Sequence, residues 1–303
     1  MAAVGTSGEV QDDPRGDAAT LWSSLLGRDP ESGQVVDYVG FQQVDDVVVV
    51  TLCRPDQLNA LSLASWRRLA EVFEVLTGDN QLRAVVVRGA GDRAFGAGAD
   101  IREFPQTRLG AARALHYNES IARALDAVAA LPVPVVAMIS GVAVGGGCEL
   151  AAACDIRLAA EGSRFGIPIG RLGVTLGYTE ASAVARLIGP AMLKYLVFGG
   201  RIIDAAEALR CGLVQRVVPS KQLVAETVAL VDAVRASSEV TIRAAKLVAD
   251  MCGRPLTAQD TEALTRVAVE AYDGADLREG VAAFTEGRAP KFSDEGRSRS
   301  GRT

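Results

Sequence analysis

The chain has 303 residues, of which 49% are hydrophobic and 23% are charged, and its formal net charge is −5. This composition is typical of a globular protein with room for one large domain and an appendage. The acidic balance argues against a nucleic-acid-binding surface, because neutralising phosphates requires clustered Lys and Arg. No apolar run approaches the length that crosses a bilayer, so we expect no membrane contact.

The five cysteines lie far apart in the sequence, and no histidine accompanies them in a metal-ligand spacing. This pattern predicts free thiols in a reducing cytoplasm, with no disulfide framework and no metal site. Residues 1–37 are rich in Gly, Asp, Ser and Pro, a composition that predicts a flexible N-terminal extension.

Strand-like and helix-like segments alternate from residue 38 onward. VGFQQV (39–44) and VVVVTLC (47–53) predict two strands joined by a tight turn. LASWRRLAEVFEVL follows with helical spacing and with Ser62 as its N-cap. Short apolar runs predict buried strands at 84–89 and 134–140, and a long helix from about Arg108 to Ala130 lies between them.

The second half of the chain continues this alternation and then becomes helical. DIRLAA predicts a strand after Asp155, VQRVV (214–218) predicts the last strand, and the remainder is helical to about Phe284. Strands followed by helices predict an α/β protein. We expect a core over residues 38–235 and a helical C-terminal region with a flexible tail over residues 236–303.

Two segments share one design, in which a strand runs into a Gly/Ala loop and then into a helix. They are AFGAGADI (94–101) and GVAVGGGCEL (141–150). Loops without Cβ atoms let a ligand approach the backbone, and the N–H groups of a first helical turn favour negative charge. Two such donors on one carbonyl oxygen would form an oxyanion hole. Plain close packing of helix on strand is the alternative, whereas a phosphate loop is disfavoured by the missing GxGxxG and GKS/GKT patterns.

These segments resemble the enoyl-CoA hydratase/isomerase (crotonase) superfamily, together with RPDQLNALS (54–62) and EGVAAFTEGRAPKF (279–292). The resemblance runs from about residue 38 to residue 293, in the family's order. It implies a crotonase-like spiral of ββα units with a C-terminal helical trimerisation region. It also implies an acyl-CoA thioester as substrate, assembly as a homotrimer or a dimer of trimers, and no separate cofactor, since CoA is part of the substrate.

The resemblance further implies roles for individual residues. Ala99 and Gly146 would donate their backbone N–H groups to the thioester oxygen, and Glu149 would carry protons for the reaction. Without the resemblance, Glu149 is equally well explained as a negative charge in a first helical turn. Hydratases of the family carry a second glutamate at the position of Ile169, whose side chain cannot carry a proton.

Tyr178 and Glu180 lie close to Ile169 in the sequence and could replace the missing glutamate, although we expect helix-surface or packing roles for them. The resemblance places Ile169, Tyr178 and the single histidine, His116, at the substrate pocket. An ordinary helix-face position explains His116 as well.

For CoA itself, relatives use the loop corresponding to residues 54–61 and basic residues near the C-terminus. Surface Lys and Arg are more often simply solvated, so these assignments depend on the resemblance alone. The CoA-contacting residues expected in this way are Arg54, Leu58, Ala97, Ile101, Arg288 and Lys291.

The sequence therefore predicts an enzyme of the enoyl-CoA hydratase/isomerase type with an oxyanion hole and a single catalytic glutamate. A malonyl-type acyl-CoA decarboxylase and a non-catalytic acyl-CoA-binding protein are the alternatives, because Ile169 removes one proton carrier.

Overall fold

The computed structural model describes Trp22 and residues 24–292. The strands of this part of the chain are β1 Val35–Val36, β2 Val39–Val44, β3 Val47–Leu52, β4 Ala84–Gly89, β5 Ala94–Gly96, β6 Val135–Ile139, β7 Val142–Val144, β8 Ile156–Ala160, β9 Arg164–Gly166, β10 Ile202–Asp204 and β11 Arg216–Val218. The α-helices are α1 Leu63–Leu76, α2 Phe104–Thr107, α3 Ala111–Ala130, α4 Gly146–Ala153, α5 Tyr178–Gly199, α6 Ala205–Arg210, α7 Leu223–Arg235, α8 Glu239–Met251, α9 Ala258–Asp273 and α10 Ala275–Glu286.

Two sheets organise the molecule. The large sheet has the order β1-β2-β3-β4-β6-β8-β11 and is parallel from β3 onward, while the small sheet has the order β10-β9-β7-β5. Three consecutive units each place one strand in the large sheet, the next strand in the small sheet, and then a helix. They begin at β4, β6 and β8. The predicted α/β spiral of ββα units is therefore confirmed.

The large sheet is covered on both faces, as its continuous apolar strands require. In β3, Val48 and Val50 point into one core cluster and Val47 and Val49 into the other. Trp66 of α1 is fully buried in the first cluster. This first face also carries the glycine loops, so the functional cleft lies on one side of the large sheet.

Local predictions for the first elements are confirmed. β2 and β3 form an antiparallel hairpin whose register ends at Val44 opposite Val47. The Ser62 hydroxyl accepts a hydrogen bond of 3.1 Å from the Ser65 N–H and so caps α1.

The long helix predicted from Arg108 is wrong at its start. The chain forms the short helix α2 and then begins α3 only at Ala111, because Gly110 adopts φ +90°, which a regular helix does not allow. Arg108 consequently lies between the two helices as the C-cap of α2, and its N–H donates to the Phe104 carbonyl at 2.9 Å.

The flexible extension predicted over residues 1–37 needs correction at its C-terminal end. Residues 1–21, 23 and 293–303 lie outside the described residues. Trp22, however, is 1% exposed and packs with Leu26 in the core cluster of the large sheet's second face. The Arg88 guanidinium donates to the Leu25 carbonyl (3.2 Å) and the Arg28 carbonyl (2.6 Å), which fixes this segment to β4.

Helix α5 has a length and a mean hydropathy (1.3) that would allow it to cross a membrane, a property the sequence pattern had not indicated. It contains Arg186 and Lys194 and is broken at Gly189, whose φ is +73°. One helix of this kind is weak evidence for a membrane span, since core helices of soluble proteins have the same length and composition. That the chain has no membrane contact stays a prediction.

Candidate active site

The two glycine loops leave the small sheet side by side. β5 and β7 are parallel neighbours, so residues 97–101 and 145–149 emerge at the same edge. A Cβ atom on Gly98 would lie 2.9 Å from the Val144 carbonyl oxygen, and one on Gly147 would lie 2.0 Å from the Gly96 carbonyl oxygen. The glycines are therefore required for the contact between the loops, because any side chain would separate them.

Each loop presents one backbone N–H that has no acceptor among the described residues. Gly146 is the first residue of α4, so its N–H has no intrahelical partner. The loop around Ala99 is held by Leu61, whose N–H donates to the Gly98 carbonyl (2.8 Å) and whose carbonyl accepts from the Asp100 N–H (2.9 Å). The Ala99 N–H lies between these two hydrogen bonds and has no acceptor among the described residues.

Both N–H groups border one cleft of about 710 Å³, part of which is open to solvent. Its apolar lining is contributed by Trp66, Ile101, Phe104, Ile121, Val144, Ile169, Leu172, Val174 and Leu176. Three charged side chains also line it, those of Arg108, Glu149 and Glu180. An apolar cleft with a few convergent polar groups is the usual form of a small-molecule site.

Glu149 stands in the first turn of α4 and is only 5% exposed. Burial raises the pKa of its carboxyl group to about 8, the charge of Glu180 adds to this rise, and the charge of Arg108 opposes it. The carboxyl group is therefore mostly protonated at neutral pH and titrates close to it, which suits a group that gives and takes protons.

Glu180 is the second carboxyl group of the cleft and is 4% exposed. Burial raises its pKa, while the Glu180 and Gly177 backbone N–H groups and Arg108 lower it. The sequence left Glu180 open as a replacement for the missing glutamate but favoured a helix-surface or packing role. The signal that could have found it is its position eleven residues beyond Ile169 on the chain segment that covers the cleft.

Arg108 was missed by the sequence analysis. Its Nη2 donates to Asn118 Oδ1 (2.8 Å), and its guanidinium lies 4.7 Å from the Tyr117 ring centroid and 5.1 Å from that of Phe104. Burial lowers the pKa of Arg108, and Tyr117, Glu149 and Glu180 raise it. The predicted helix placed Arg108 at its first residue and gave no indication that the side chain lies at the cleft.

Of the predicted pocket residues, only Ile169 lines the cleft. Tyr178 is 88% exposed and lies outside it. His116 is exposed on α3, where it contacts Arg67 and forms a 3.7 Å contact with Glu119. In the single chain, His116 and Tyr178 therefore face solvent.

The residues expected to contact CoA separate into two groups. Ala97 and Ile101 line the cleft, and Arg54 stands nearby, paired with Asp100 at 2.8 Å. Leu58 adopts the left-handed conformation (φ +51°) and its carbonyl accepts from the Ala97 N–H at 2.9 Å.

The second group lies at the C-terminus. The Arg288 guanidinium is paired with Glu279 and Glu286, each at 2.6 Å. The Lys291 backbone N–H donates to Glu279 as well, at 2.6 Å. The Arg288 guanidinium therefore already forms ion pairs with two carboxylates of its own chain.

Comparison with known proteins agrees with this architecture. The family model described as enoyl-CoA hydratase/isomerase matches residues 42–295. A protein named crotonyl-CoA hydratase from Syntrophomonas wolfei is 31% identical over 257 residues, which are 83% of this chain and 96% of that protein. A short-chain-enoyl-CoA hydratase from Clostridium acetobutylicum is 36% identical over 201 residues, which are 66% of this chain and 76% of that protein.

Solved structures agree as well. The crystal structure of an enoyl-CoA hydratase/carnithine racemase from Magnetospirillum magneticum superimposes with a TM-score of 0.80 at 39% identity, covering 86% of this chain and 97% of that one. An enoyl-CoA hydratase from Bacillus anthracis gives a TM-score of 0.77 at 31% identity, covering 84% of this chain and 98% of that one. The chain therefore belongs to the enoyl-CoA hydratase/isomerase family, the crotonase superfamily of acyl-CoA enzymes.

Proposed function

We propose that this enzyme hydrates or isomerises enoyl-CoA thioesters through an enolate whose oxygen is held by the Ala99 and Gly146 N–H groups. The observation that carries this proposal is that two unpartnered N–H groups and a buried carboxyl group, Glu149, border one apolar cleft. Removing one donor from such a site typically costs about 3–4 kcal/mol of transition-state stabilisation.

The substrate class is supported by the relatives. The proteins from Syntrophomonas wolfei and Clostridium acetobutylicum are named for crotonyl-CoA and short-chain enoyl-CoA. The apolar lining of the cleft fits an acyl chain, and apolar surroundings strengthen the N–H donors toward a developing enolate.

Decarboxylation of a malonyl-type acyl-CoA is a second candidate. It also passes through a thioester enolate but needs fewer proton carriers, which fits Ile169 in place of the family's second glutamate. Arg108 is the only cation among the described residues that line the cleft, and it would face the substrate's carboxylate.

CoA contacts are proposed for Ala97 and Ile101 at the cleft, and for Arg54 and Leu58 beside it. Arg288 and Lys291 would meet the CoA phosphates only if the CoA exchanged for, or added to, their contacts with Glu279. No separate cofactor enters this proposal, because CoA arrives with the substrate.

A homotrimer or dimer of trimers in the cytoplasm is proposed as the working form. Large apolar side chains stand exposed on the helices, among them Phe198 of α5 and Tyr272 and Phe284 on α9 and α10. Sedimentation velocity should give three or six times the 31.7 kDa mass of the chain. A monomer at micromolar concentration would contradict this assembly.

The function is tested by assaying the purified protein with crotonyl-CoA, longer 2- and 3-enoyl-CoAs and methylmalonyl-CoA, alongside Glu149→Gln. We expect turnover of an enoyl-CoA by wild type and a loss of about 10²–10⁴-fold in the variant. Tight binding without conversion of any ester would support the non-catalytic alternative, and turnover of methylmalonyl-CoA alone would support the decarboxylase. Unchanged turnover in Glu149→Gln would exclude Glu149 as the proton carrier.

A further inference from the structure

The family's second glutamate is absent at Ile169, yet the cleft contains a second carboxyl group. Glu180 reaches it from the first turn of α5, which packs against α4 and its Glu149. Ile169 borders the same space. The cleft wall therefore carries two carboxyl groups, one from α4 and one from α5.

Gly177 makes room for the Glu180 carboxylate. A Cβ atom on Gly177 would lie 2.2 Å and 2.7 Å from the two carboxylate oxygens of Glu180. The backbone of Gly177 has φ −72° and ψ 164°, which any residue can adopt. The glycine is thus needed for the space it leaves, and this space fixes where the carboxylate lies.

Helix capping is the plain structural explanation for Glu180, because a glutamate at the third helical position often accepts from the N-cap N–H. Two observations go beyond it. The side chain is almost fully buried, whereas a capping carboxylate can stay in water. It also faces charged groups from three directions, namely Arg108 ahead of α3, Asp126 on α3 and Glu149 on α4.

Two buried carboxyl groups of like charge destabilise a fold unless they share protons or serve a reaction. Burial raises the pKa of both carboxyl groups, and that of Glu149 reaches about 8. The backbone N–H groups of Glu180 and Gly177 lower the pKa of Glu180, whereas Arg108 alone opposes the rise at Glu149. Environments that separate two carboxyl groups in this way assign one as acid and the other as base.

We propose that Glu180 is the second proton-carrying catalytic residue of this enzyme and replaces the glutamate lost at Ile169. Arg108 is a positioning residue whose positive charge acts on both carboxyl groups across the cleft. This inference rests on the proposed function, because it requires an enolate-forming reaction at Ala99 and Gly146.

In the hydration direction, Glu180 takes a proton from water as the water oxygen bonds to C3 of the enoyl-CoA. The C2=C3 electron pair moves toward C1, and the thioester oxygen takes up the negative charge. Glu149 then donates its proton to C2, and the electron pair returns to form the C2–H bond. The proton on Glu180 passes back to Glu149 through solvent, so one water has been added and both residues are restored.

The test compares Glu180→Gln with wild type and with Glu149→Gln in steady-state turnover of the best enoyl-CoA substrate. Glutamine keeps an oxygen for the Gly177 N–H, so the cap is preserved and only proton transfer is lost. We expect kcat to fall about 10²–10⁴-fold with the melting temperature and the KM nearly unchanged. Glu207→Gln provides the matched control, because Glu207 occupies the same helical position in α6.

A second variant, Gly177→Ala, displaces the Glu180 carboxylate without changing its chemistry. We expect kcat to fall at least tenfold, whereas Gly162→Ala, whose added Cβ would meet no atom within 4 Å, should keep full activity. Exchange of the C2 protons of a saturated acyl-CoA in D₂O, followed by mass spectrometry, reads the group that exchanges a proton with C2, so it should be lost in Glu149→Gln and retained in Glu180→Gln.

The two proposals fail differently. If Glu149→Gln is inactive while Glu180→Gln retains the wild-type kcat for hydration, the role of Glu180 is overturned and the function stands. If wild type converts no enoyl-CoA, the proposed function is overturned, and the role of Glu180 with it.

Discussion

At the scale of single residues, the cleft brings together buried ionisable side chains in a molecule whose other ionisable groups mostly face solvent. Glu149 and Glu180 are both nearly inaccessible, and Arg108 is the cation beside them. Such a cluster lowers folding stability, because buried charges lose hydration that a single guanidinium only partly replaces. The cluster therefore does not owe its presence to a gain in folding stability.

Replacing Glu149 by glutamine should stabilise the protein at alkaline pH. The pKa of Glu149 is raised from 4.5 to about 8 in the folded state, so folding favours the protonated form. The stability this provides is complete below about pH 4.5 and is lost as pH rises toward 8. At pH 8 we expect Glu149→Gln to exceed wild type by a few kcal/mol, since one pKa unit corresponds to about 1.4 kcal/mol.

Urea unfolding of both proteins between pH 4.5 and pH 8.5 measures this difference. The gap should narrow toward pH 4.5, where wild-type Glu149 is protonated in the folded state and about half protonated in the unfolded state. Glu74→Gln serves as the control, since Glu74 is paired with Arg123, which lowers its pKa. Equal stability of Glu149→Gln and wild type at pH 8 would show that the carboxyl group is not buried in the neutral form.

Removing the charge of Arg108 should shift the pH dependence of catalysis upward. Arg108 lowers the pKa of both Glu149 and Glu180, so Arg108→Met should raise both. The acidic and basic limbs of the kcat/KM profile then move to higher pH together. Arg113→Met, an exposed neighbour on α3, should leave the profile in place. A profile that falls in height without moving would assign Arg108 a purely structural role.

At the scale of elements, the site depends on two short strands that bring two loops into contact. β5 and β7 pair for only a few residues, and glycines at positions 96, 98, 146 and 147 allow the loops to touch. Asn59 fixes the neighbouring loop, as its Nδ2 donates to the Ala90 carbonyl (3.0 Å) and the Ala94 carbonyl (2.7 Å). The N–H groups of Ala99 and Gly146 are thus placed by backbone contacts.

Gly98→Ala should disable turnover more than it disturbs folding. Gly98 has φ +93°, and its added Cβ would lie 2.9 Å from the Val144 carbonyl oxygen, so the Ala99 N–H must move. We expect kcat to fall about 10²-fold or more, the typical effect of a lost oxyanion donor. Gly253→Ala is the control, because Gly253 has φ +87° with no atom near an added Cβ. Equal kcat in the two variants would count against the Ala99 N–H as a donor.

At the scale of the whole molecule, the large sheet separates the cleft on one face from a purely structural layer on the other. One face carries the cleft and its helices, and the other is covered by α7 and the segment from Trp22 onward. The Trp22 indole also donates to Asp232 Oδ1 of α7 at 3.3 Å. The N-terminal segment therefore stabilises the side of the sheet that is remote from the chemistry.

Trp22→Ala should accordingly lower stability without changing catalysis. Truncating a buried tryptophan typically costs about 3–5 kcal/mol, because the cavity it leaves only partly closes. Urea unfolding should show this loss at temperatures where kcat and KM of the folded enzyme match wild type. A stability loss below 1 kcal/mol would mean that this segment does not pack on the sheet in solution.

The sequence by itself determined the elements with strong local signals. The apolar runs of β3, β4 and β6, the periodic helix α1 with its Ser62 cap, and the Gly-rich loops before Ala99 and Glu149 were all predicted, since each rests on residues close in the chain. The resemblance to one family supplied the spiral of ββα units and the roles expected of Ala99, Gly146 and Glu149.

Only the tertiary structure decided how distant segments share one cleft. Glu180 lies 31 positions after Glu149, and Arg108 lies 41 positions before Glu149, so no periodic sequence pattern connects the three residues. The three-residue strands of the small sheet and the burial of Trp22 escaped prediction for the same reason, because their stability comes from long-range packing. The expectation of a family carboxylate at the position of Ile169 came from the resemblance, whereas the burial of Glu180 in the same cleft emerged only from the folded chain.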